Sequence, residues 1–375
     1  MQVESLITSD GKTRYMLLDD AGEPVRPVLQ YLKFLDRRRT ARNTLRTYCY
    51  QLKLFFDFLE QYHLDYLQVG IDEMGDFLGW LQRPAVQMPR IPAQPAPPAR
   101  TPSTINLALA TVMRFYEFLM IHEDYSLQLS QRLKKELPGF RRPFKDLLYH
   151  LSKDRPFEVN LLKVKAPKSK PKAVLKKTVQ ALLEACQNLR DEFLLCLLWE
   201  SGIRIGEALS LWLEDIDIGA QQVHIRDRGE LANGAEIKSP ASPRTLDVSE
   251  DLISLYLDYV AWAHTEDVDT NHVFLKLMGN HRGQPLEYAD VASLFRRLRR
   301  QVGTWVTPHM FRHGSFTALR KAGWKPEYIR KRAGHAHVHT TMQFYIHPDD
   351  EDLHQDWKQV EEQMKLKRKQ KREQV

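Results

Sequence analysis

Two arginines, two histidines and a tyrosine recur in this chain at spacings suited to work on a phosphodiester. Thr307-Pro308-His309-Met310-Phe311-Arg312-His313 is followed by Gly334-His335 and then by Thr340-Thr341-Met342-Gln343-Phe344-Tyr345, with Arg204 far upstream. Guanidinium and imidazole groups hold a phosphate from several sides. A tyrosine hydroxyl beside them can attack phosphorus and keep the broken bond as a phosphotyrosyl ester. That chemistry calls for no cofactor and no metal.

Local spacing gives these residues a common direction. Within Ser201-Gly202-Ile203-Arg204-Ile205-Gly206-Glu207, Arg204 opens a short helix after a glycine turn, and Glu207 lies three residues on, on the same side. A cation at a helix start opposes the macrodipole, which points to an anionic ligand or the Glu207 carboxylate as its support. His309 and Arg312 are likewise spaced i, i+3, with Pro308 at a first helical position. Tyr256 and Tyr328 are rival nucleophiles, but Tyr256 sits on an apolar helical stripe and Tyr328 precedes the Gly-His step. The crowd of His309, His313, His335, His337, His339 and His347 raises a metal-dependent nuclease as a rival. It contains no H-E-x-x-H, no carboxylate between His335 and His339 and no cysteine. Trp305, Trp324 and Phe344 are expected to be core anchors.

The elements that must position this site follow from periodicity. Short β-prone runs, Val3 to Thr8 and Arg14 to Asp19, flank Ser9-Asp10-Gly11 and predict a hairpin. Leu45, Tyr48, Leu52, Phe55, Phe56 and Leu59 fall on one helical stripe, with Arg42, Arg46 and Lys53 on other faces. A proline-rich loop runs from Pro84 to Pro102. The next helix has Ser103 or Thr104 as its cap and buries Leu109, Val112, Met113, Tyr116, Leu119 and Met120. The first 160 residues are thus mainly helical. Lys163, Lys165, Lys168, Lys170 and Lys172 then stand among Ala, Pro and Ser without apolar periodicity, as a linker that touches phosphates. Helices resume at Thr178 and close at Gly202. Runs at Gln222 to Arg226, Ala235 to Lys238 and Arg244 to Val248 predict a small antiparallel sheet, and helices fill nearly everything after Ser249.

Composition bounds the function class. The chain has 375 residues and a formal net charge of +7, which suits more than one domain and a polyanionic partner. Cys49, Cys186 and Cys196 all lie in apolar helical patterns with no Cys-x-x-Cys pair, so they read as buried thiols of a reducing compartment. The start carries no signal-peptide pattern and no stretch is apolar enough to span a membrane, which places the protein in the cytoplasm.

The whole set resembles the tyrosine recombinases of the phage-integrase family. R-x-x-E is matched by Arg204 and Glu207, the hairpin lysine by Lys238, H-x-x-R by His309 and Arg312, G-H by Gly334-His335, and the nucleophile by Tyr345. Asn43-Thr44-Leu45-Arg46-Thr47-Tyr48 resembles the start of the first DNA-facing helix of that family's core-binding domain.

The resemblance implies a mainly α fold with a small antiparallel β-sheet (α+β). A hairpin arm would occupy 1–25, a helical core-binding domain 26–160, a basic linker 161–173, a catalytic domain 174–350, and a C-terminal helix with a basic tail 351–375. It also implies that Tyr345 attacks the scissile phosphate while Arg204, Arg312 and His335 hold its oxygens. His309 would assist the tyrosine proton, Lys238 would protonate the leaving 5′-oxygen, and Glu207 would orient the arginines. The implied partners are double-stranded DNA, contacted also by Arg42, Arg46, Lys168, Lys170 and Lys172, and three further copies of the chain in a tetramer joined through the C-terminal helix. Integration, excision or transposition of a mobile element is the expected job. The alternatives are a catalytically silent DNA-binding regulator and a type IB topoisomerase-like enzyme.

Overall fold

The computed structural model describes residues 1–83, 100–122, 134–137, 157–160, 162, 164–165, 173–237 and 241–334. The chain divides into two compact units, Met1–Lys168 and Ser169–Val375.

The N-terminal unit opens with an antiparallel hairpin, β1 (Gln2–Ile7) and β2 (Thr13–Leu18), in register from Gln2 opposite Leu18 to Ile7 opposite Thr13. Its inward Leu17 joins the core formed by α1 (Arg26–Arg37), α2 (Arg42–Gln61), α3 (Ile71–Leu81) and α4 (Pro102–His122). Every member of the Leu45-to-Leu59 stripe on α2 is buried. Facing it, α4 buries Leu109, Val112, Met113, Tyr116 and Leu119, together with Ile105, Ala108, Phe115 and Phe118, while Met120 is half-buried. Aromatic edges lock the layers: Phe55 meets Phe77 at 5.1 Å and Tyr116 at 5.9 Å between ring centroids, both edge-on.

Three expectations change here. The cap of α4 is Thr101, whose hydroxyl accepts from the Thr104 amide at 3.3 Å, because Pro102 takes the first helical position and moves the start upstream. A second antiparallel pair, β3 (Lys134–Leu137) with β4 (Phe157–Asn160), lies in a stretch expected to be helical. The basic segment also begins differently. Leu162 and Val164 pack on the N-terminal core, and the Asn106 amide exchanges two 2.8 Å hydrogen bonds with the Val164 backbone. The proline-rich residues 84–99 and Lys168, Lys170 and Lys172 lie outside the described residues.

The C-terminal unit is built on α6 (Leu189–Ser201), buried on most of its surface, with α5 (Lys176–Glu184) beside it. A short α7 (Ile205–Leu209) leads to a three-stranded antiparallel sheet, β5 (Ile216–Asp217), β6 (Gln222–Ile225) and β7 (Arg244–Asp247), in that order. Then follow α8 (Glu250–Ala263), α9 (Tyr288–Val302), α10 (Pro308–Lys321) and α11 (Pro326–Ala333). Both α8 and α10 pack on α6.

The third strand is not the expected one. Residues 235–237 form no strand, because β6 pairs directly with β7 and its other edge takes Ile216–Asp217. The displaced segment is held instead by the buried Asn233, whose amide donates to the carbonyls of Leu209 and Leu286 at 3.0 Å each. Residues 264–287 are also not helical apart from one turn at Gly279–His281, and they run back along the core through bridges such as Trp212 with His272.

Trp305 and Trp324 are not core anchors: they are 66% and 41% exposed, with the guanidinium groups of Arg299 and Arg332 over their rings at 3.9 and 5.9 Å. Phe344 lies outside the described residues. Of the three cysteines only Cys49 is fully buried, and burial pushes the thiols of Cys49 and Cys186 up to about 12 and that of Cys196 up to about 11. Among the described residues no helix is long and apolar enough to cross a membrane.

Candidate active site

Two helix ends meet at this site, and both end on a glycine. Gly202 caps α6 at φ 65° and Gly334 caps α11 at φ 61°, in the left-handed region that favours glycine. Space demands glycine as well. A Cβ on Gly202 would come within 2.7 Å of the Phe316 ring, and one on Gly334 within 2.9 Å of Arg244 Nη1. Each cap ends its helix within one or two residues of a residue the sequence singled out, Arg204 after Gly202 and His335 after Gly334.

Arg312 joins the two ends. It projects from the first turns of α10, which Pro308 starts and Thr307 caps by accepting from the Met310 amide at 3.3 Å. The side chain is 2% exposed, with Nη1 donating to the Gly202 carbonyl at 2.7 Å and Nη2 to the Ala333 carbonyl at 2.5 Å. These are the C-terminal carbonyls of α6 and α11, where helix dipoles favour a cation. The guanidinium also lies over the Phe316 ring at 5.0 Å.

Arg204 stands at the N-cap of α7 with extended backbone, and Glu207 supports it twice. Glu207 Oε2 accepts from the Arg204 amide at 2.8 Å, and Oε1 accepts from Arg204 Nη1, also at 2.8 Å. Glu207 is 1% exposed. Burial alone would push its carboxyl up, but the Arg244 hydrogen bonds and the charges of Arg244, Arg204 and Arg312 outweigh that and hold it at about 2. A carboxyl depressed on folding contributes stability that is present above the ordinary carboxylate range and is lost as pH falls toward about 2.

His309 is exposed on the same face of α10 one turn before Arg312, and its ring meets that of His313 edge-on at 4.4 Å. Burial, with the charges of His309 and Arg312, pushes the His313 imidazole down to about 4, so it is neutral near pH 7. Arg204, Glu207, His309 and Arg312 thus converge on the ends of α6 and α11 and the start of α10. Lys238, His335 and Tyr345 lie outside the described residues. Tyr256 is buried in the core and Tyr328 is 58% exposed on α11. In the N-terminal unit, Arg46 is exposed with its guanidinium 5.8 Å from the Tyr50 ring centroid, and Arg42 is half-buried.

Two further arginines, Arg244 and Arg332, outside the expected site residues, are built into this site. Arg244 Nη1 and Nη2 donate to the two Glu207 oxygens at 3.1 and 2.9 Å. Arg332 Nη2 donates to the carbonyls of Glu200 and Asp247 at 3.1 Å each. A signal for Arg244 exists in the strand pattern. It shares the inward face of β7 with buried Leu246, and a charge at an inward position requires a buried partner.

Residues 172–352 match the model described as the phage integrase family, and residues 28–123 match that of the phage integrase N-terminal SAM-like domain. Transposase A from transposon Tn554 of Staphylococcus aureus is 36% identical over 340 residues, covering 90% of this chain and 92% of that protein. Tyrosine recombinase XerC of Leptospira interrogans is 21% identical over 344 residues, covering 89% and 92%. Among solved structures, the Tn1549 transposon integrase in complex with transposon right end DNA superposes with a TM-score of 0.58 at 17% identity, covering 89% of this chain and 99% of that one.

Proposed function

This chain belongs to the phage integrase family and is a tyrosine-type site-specific DNA recombinase, and we propose that it cuts and rejoins duplex DNA through a 3′-phosphotyrosyl intermediate to move a mobile element. The observation that carries the reading of the site is the convergence of Arg204, Glu207 and Arg312 on the two glycine-capped helix ends. In this reading the Tyr345 hydroxyl attacks the scissile phosphorus and the 5′-oxygen leaves. Arg204, Arg312 and His335 hold the non-bridging oxygens as negative charge grows on them. His309 takes up the tyrosine proton and Lys238 gives one to the leaving oxygen. A 5′-hydroxyl from another duplex reverses the step, so exchange is nearly neutral in free energy and draws on no nucleotide. Transposition is favoured over other jobs by the Tn554 relative, which matches this chain over nearly its full length.

The test is a nicked duplex carrying the element end, from which the short 5′-hydroxyl strand diffuses away after cleavage. A 3′-linked covalent adduct is expected, and it should form undiminished with a chelator present. A need for added metal would favour the nuclease rival. Relaxation of a supercoiled plasmid lacking the site, with no strand exchange, would favour a topoisomerase.

DNA contact extends to Arg42, Arg46, Lys168, Lys170 and Lys172 in this reading. Each neutralised phosphate adds about 0.9 to the slope of log affinity against log salt, so replacing the three lysines by alanine should lower that slope by about 3. An unchanged slope removes the linker from the interface.

The active assembly is a tetramer in the cytoplasm that holds two sites. Leu353, Trp357, Val360 and Met364 recur at helical spacing in the C-terminal segment, a narrow apolar stripe suited to a groove on a neighbouring copy. Truncation after Asp350 should leave half-site binding intact and abolish strand exchange. Full-rate exchange by the truncated protein would exclude an assembly role.

A further inference from the structure

We propose that Arg244 is a positioning residue for DNA cleavage, a clip that holds Glu207, and through it Arg204, against the turn of α11 that leads into His335. The proposal rests on the reading of Arg204, Arg312 and His335 as the groups that hold the phosphate.

All three guanidinium nitrogens of Arg244 are engaged, and the side chain is only 7% exposed. Nε donates to the Arg332 carbonyl at 2.6 Å, two residues before Gly334. Nη1 donates to the Ser242 carbonyl at 2.6 Å and to Glu207 Oε1 at 3.1 Å, and Nη2 to Glu207 Oε2 at 2.9 Å. One rigid plane therefore fixes three distances at once. It sets the carboxylate that orients Arg204, the loop just before β7, and the last turn of α11. Gly334 closes against the same plane, since a Cβ there would crowd Nη1. Lysine has the charge but a single nitrogen, and it cannot span these acceptors.

A fold brace is the competing role, and the structure separates the two. Arg332 independently ties α11 to the Glu200 and Asp247 carbonyls, and Arg312 ties it to Gly202 through Ala333. With Arg244 removed, α11 keeps those anchors. What is lost is one of the two arginines paired with Glu207, leaving Arg204 in contact and Arg312 as a nearby charge. The carboxyl is buried, so without Arg244 it protonates at higher pH, and a protonated Glu207 no longer fixes Arg204 as an anion does.

The experiment compares full-length wild type, Arg244→Ala and Arg244→Lys in single-turnover cleavage of the nicked duplex at saturating DNA. The pH runs from about 5 to 9 to bring out both limbs of the profile. Arg244→Ala should bind a half-site within about threefold of wild type and cleave about 10²-fold more slowly, the size of effect expected for misplaced catalytic groups. Its acid limb should lie at higher pH than that of wild type. Methylguanidinium, admitted from the groove that Arg244 lines beside Trp324 and Tyr328, should restore part of the rate. Arg244→Lys should remain slow while keeping wild-type thermal stability more closely, so it reads the same question if the alanine variant fails to fold.

Cleavage by Arg244→Lys within threefold of wild type would overturn the proposal. So would a rate loss in Arg244→Ala that follows only the folded fraction, with an unmoved acid limb and no rescue. Tyr345→Phe run alongside keeps the two readings apart. An adduct formed by Tyr345→Phe would refute the nucleophile, whereas a normal wild-type reaction with indifferent Arg244 variants would refute only the clip.

Discussion

Replacing Tyr345 by phenylalanine is expected to abolish the covalent protein–DNA adduct while half-site affinity stays within about twofold of wild type. The substitution removes one hydroxyl, and affinity for DNA comes mostly from neutralised phosphates to which that hydroxyl contributes nothing. With Tyr345 as the proposed nucleophile and no group to replace it, cleavage should fall by at least about 10⁴-fold, the scale seen when a covalent nucleophile is deleted. The two rival tyrosines sharpen the test. Tyr328 is exposed on α11, and Tyr328→Phe should retain the adduct. Tyr256 is 4% exposed in the core, and burial pushes its hydroxyl up to about 12, which makes it a poor nucleophile as well as an inaccessible one. Denaturing electrophoresis of the trapped adduct decides the matter, and a full-strength adduct from Tyr345→Phe would remove that residue from the mechanism.

Arg312→Lys should cost about 10³-fold in single-turnover cleavage at saturating DNA, with half-site binding changed by less than about threefold. The guanidinium is fixed before substrate arrives by the Gly202 and Ala333 carbonyls, so its donors need no reorganisation when charge develops on the phosphate. A lysine ammonium cannot bridge both carbonyls and still face a phosphate. Stability should drop too, because a buried carbonyl left without a donor costs about 1–3 kcal/mol. Thermal melting therefore belongs beside the kinetics, and the rate is compared at a temperature where both proteins are folded. A wild-type rate for the lysine variant would mean that Arg312 serves the fold and not the reaction.

The acid side of the molecule follows from Glu207 and His313 together. Both fold with depressed pKa values, about 2 and about 4, so each contributes stability near neutral pH that is lost on acidification. The imidazole loses its share first, as pH falls from its ordinary range toward 4, and the carboxylate follows below it.

Most helices and the N-terminal hairpin are legible in local sequence. The Leu45-to-Leu59 stripe, the hairpin around Asp10-Gly11, the Gly202 cap and the Pro308 start are local facts, fixed by side-chain period and backbone sterics within a few residues. The i, i+3 pairing of Arg204 with Glu207 is of the same kind, and so is that of His309 with Arg312. Partnerships across long sequence separations arise only on folding. Whether Ala235 to Lys238 or Ile216–Asp217 would complete the sheet depended on which run found β6 unpaired, and a β-prone sequence does not carry that choice. Trp305 and Trp324 read as core by their hydrophobic area, yet each lies at the surface with an arginine over its ring. Strand alternation places Arg244 on the inward face of β7 without naming its partners. Folding places the ends of α6 and α11 side by side, and that juxtaposition sets which donors serve the buried carboxylate and orphan carbonyls there.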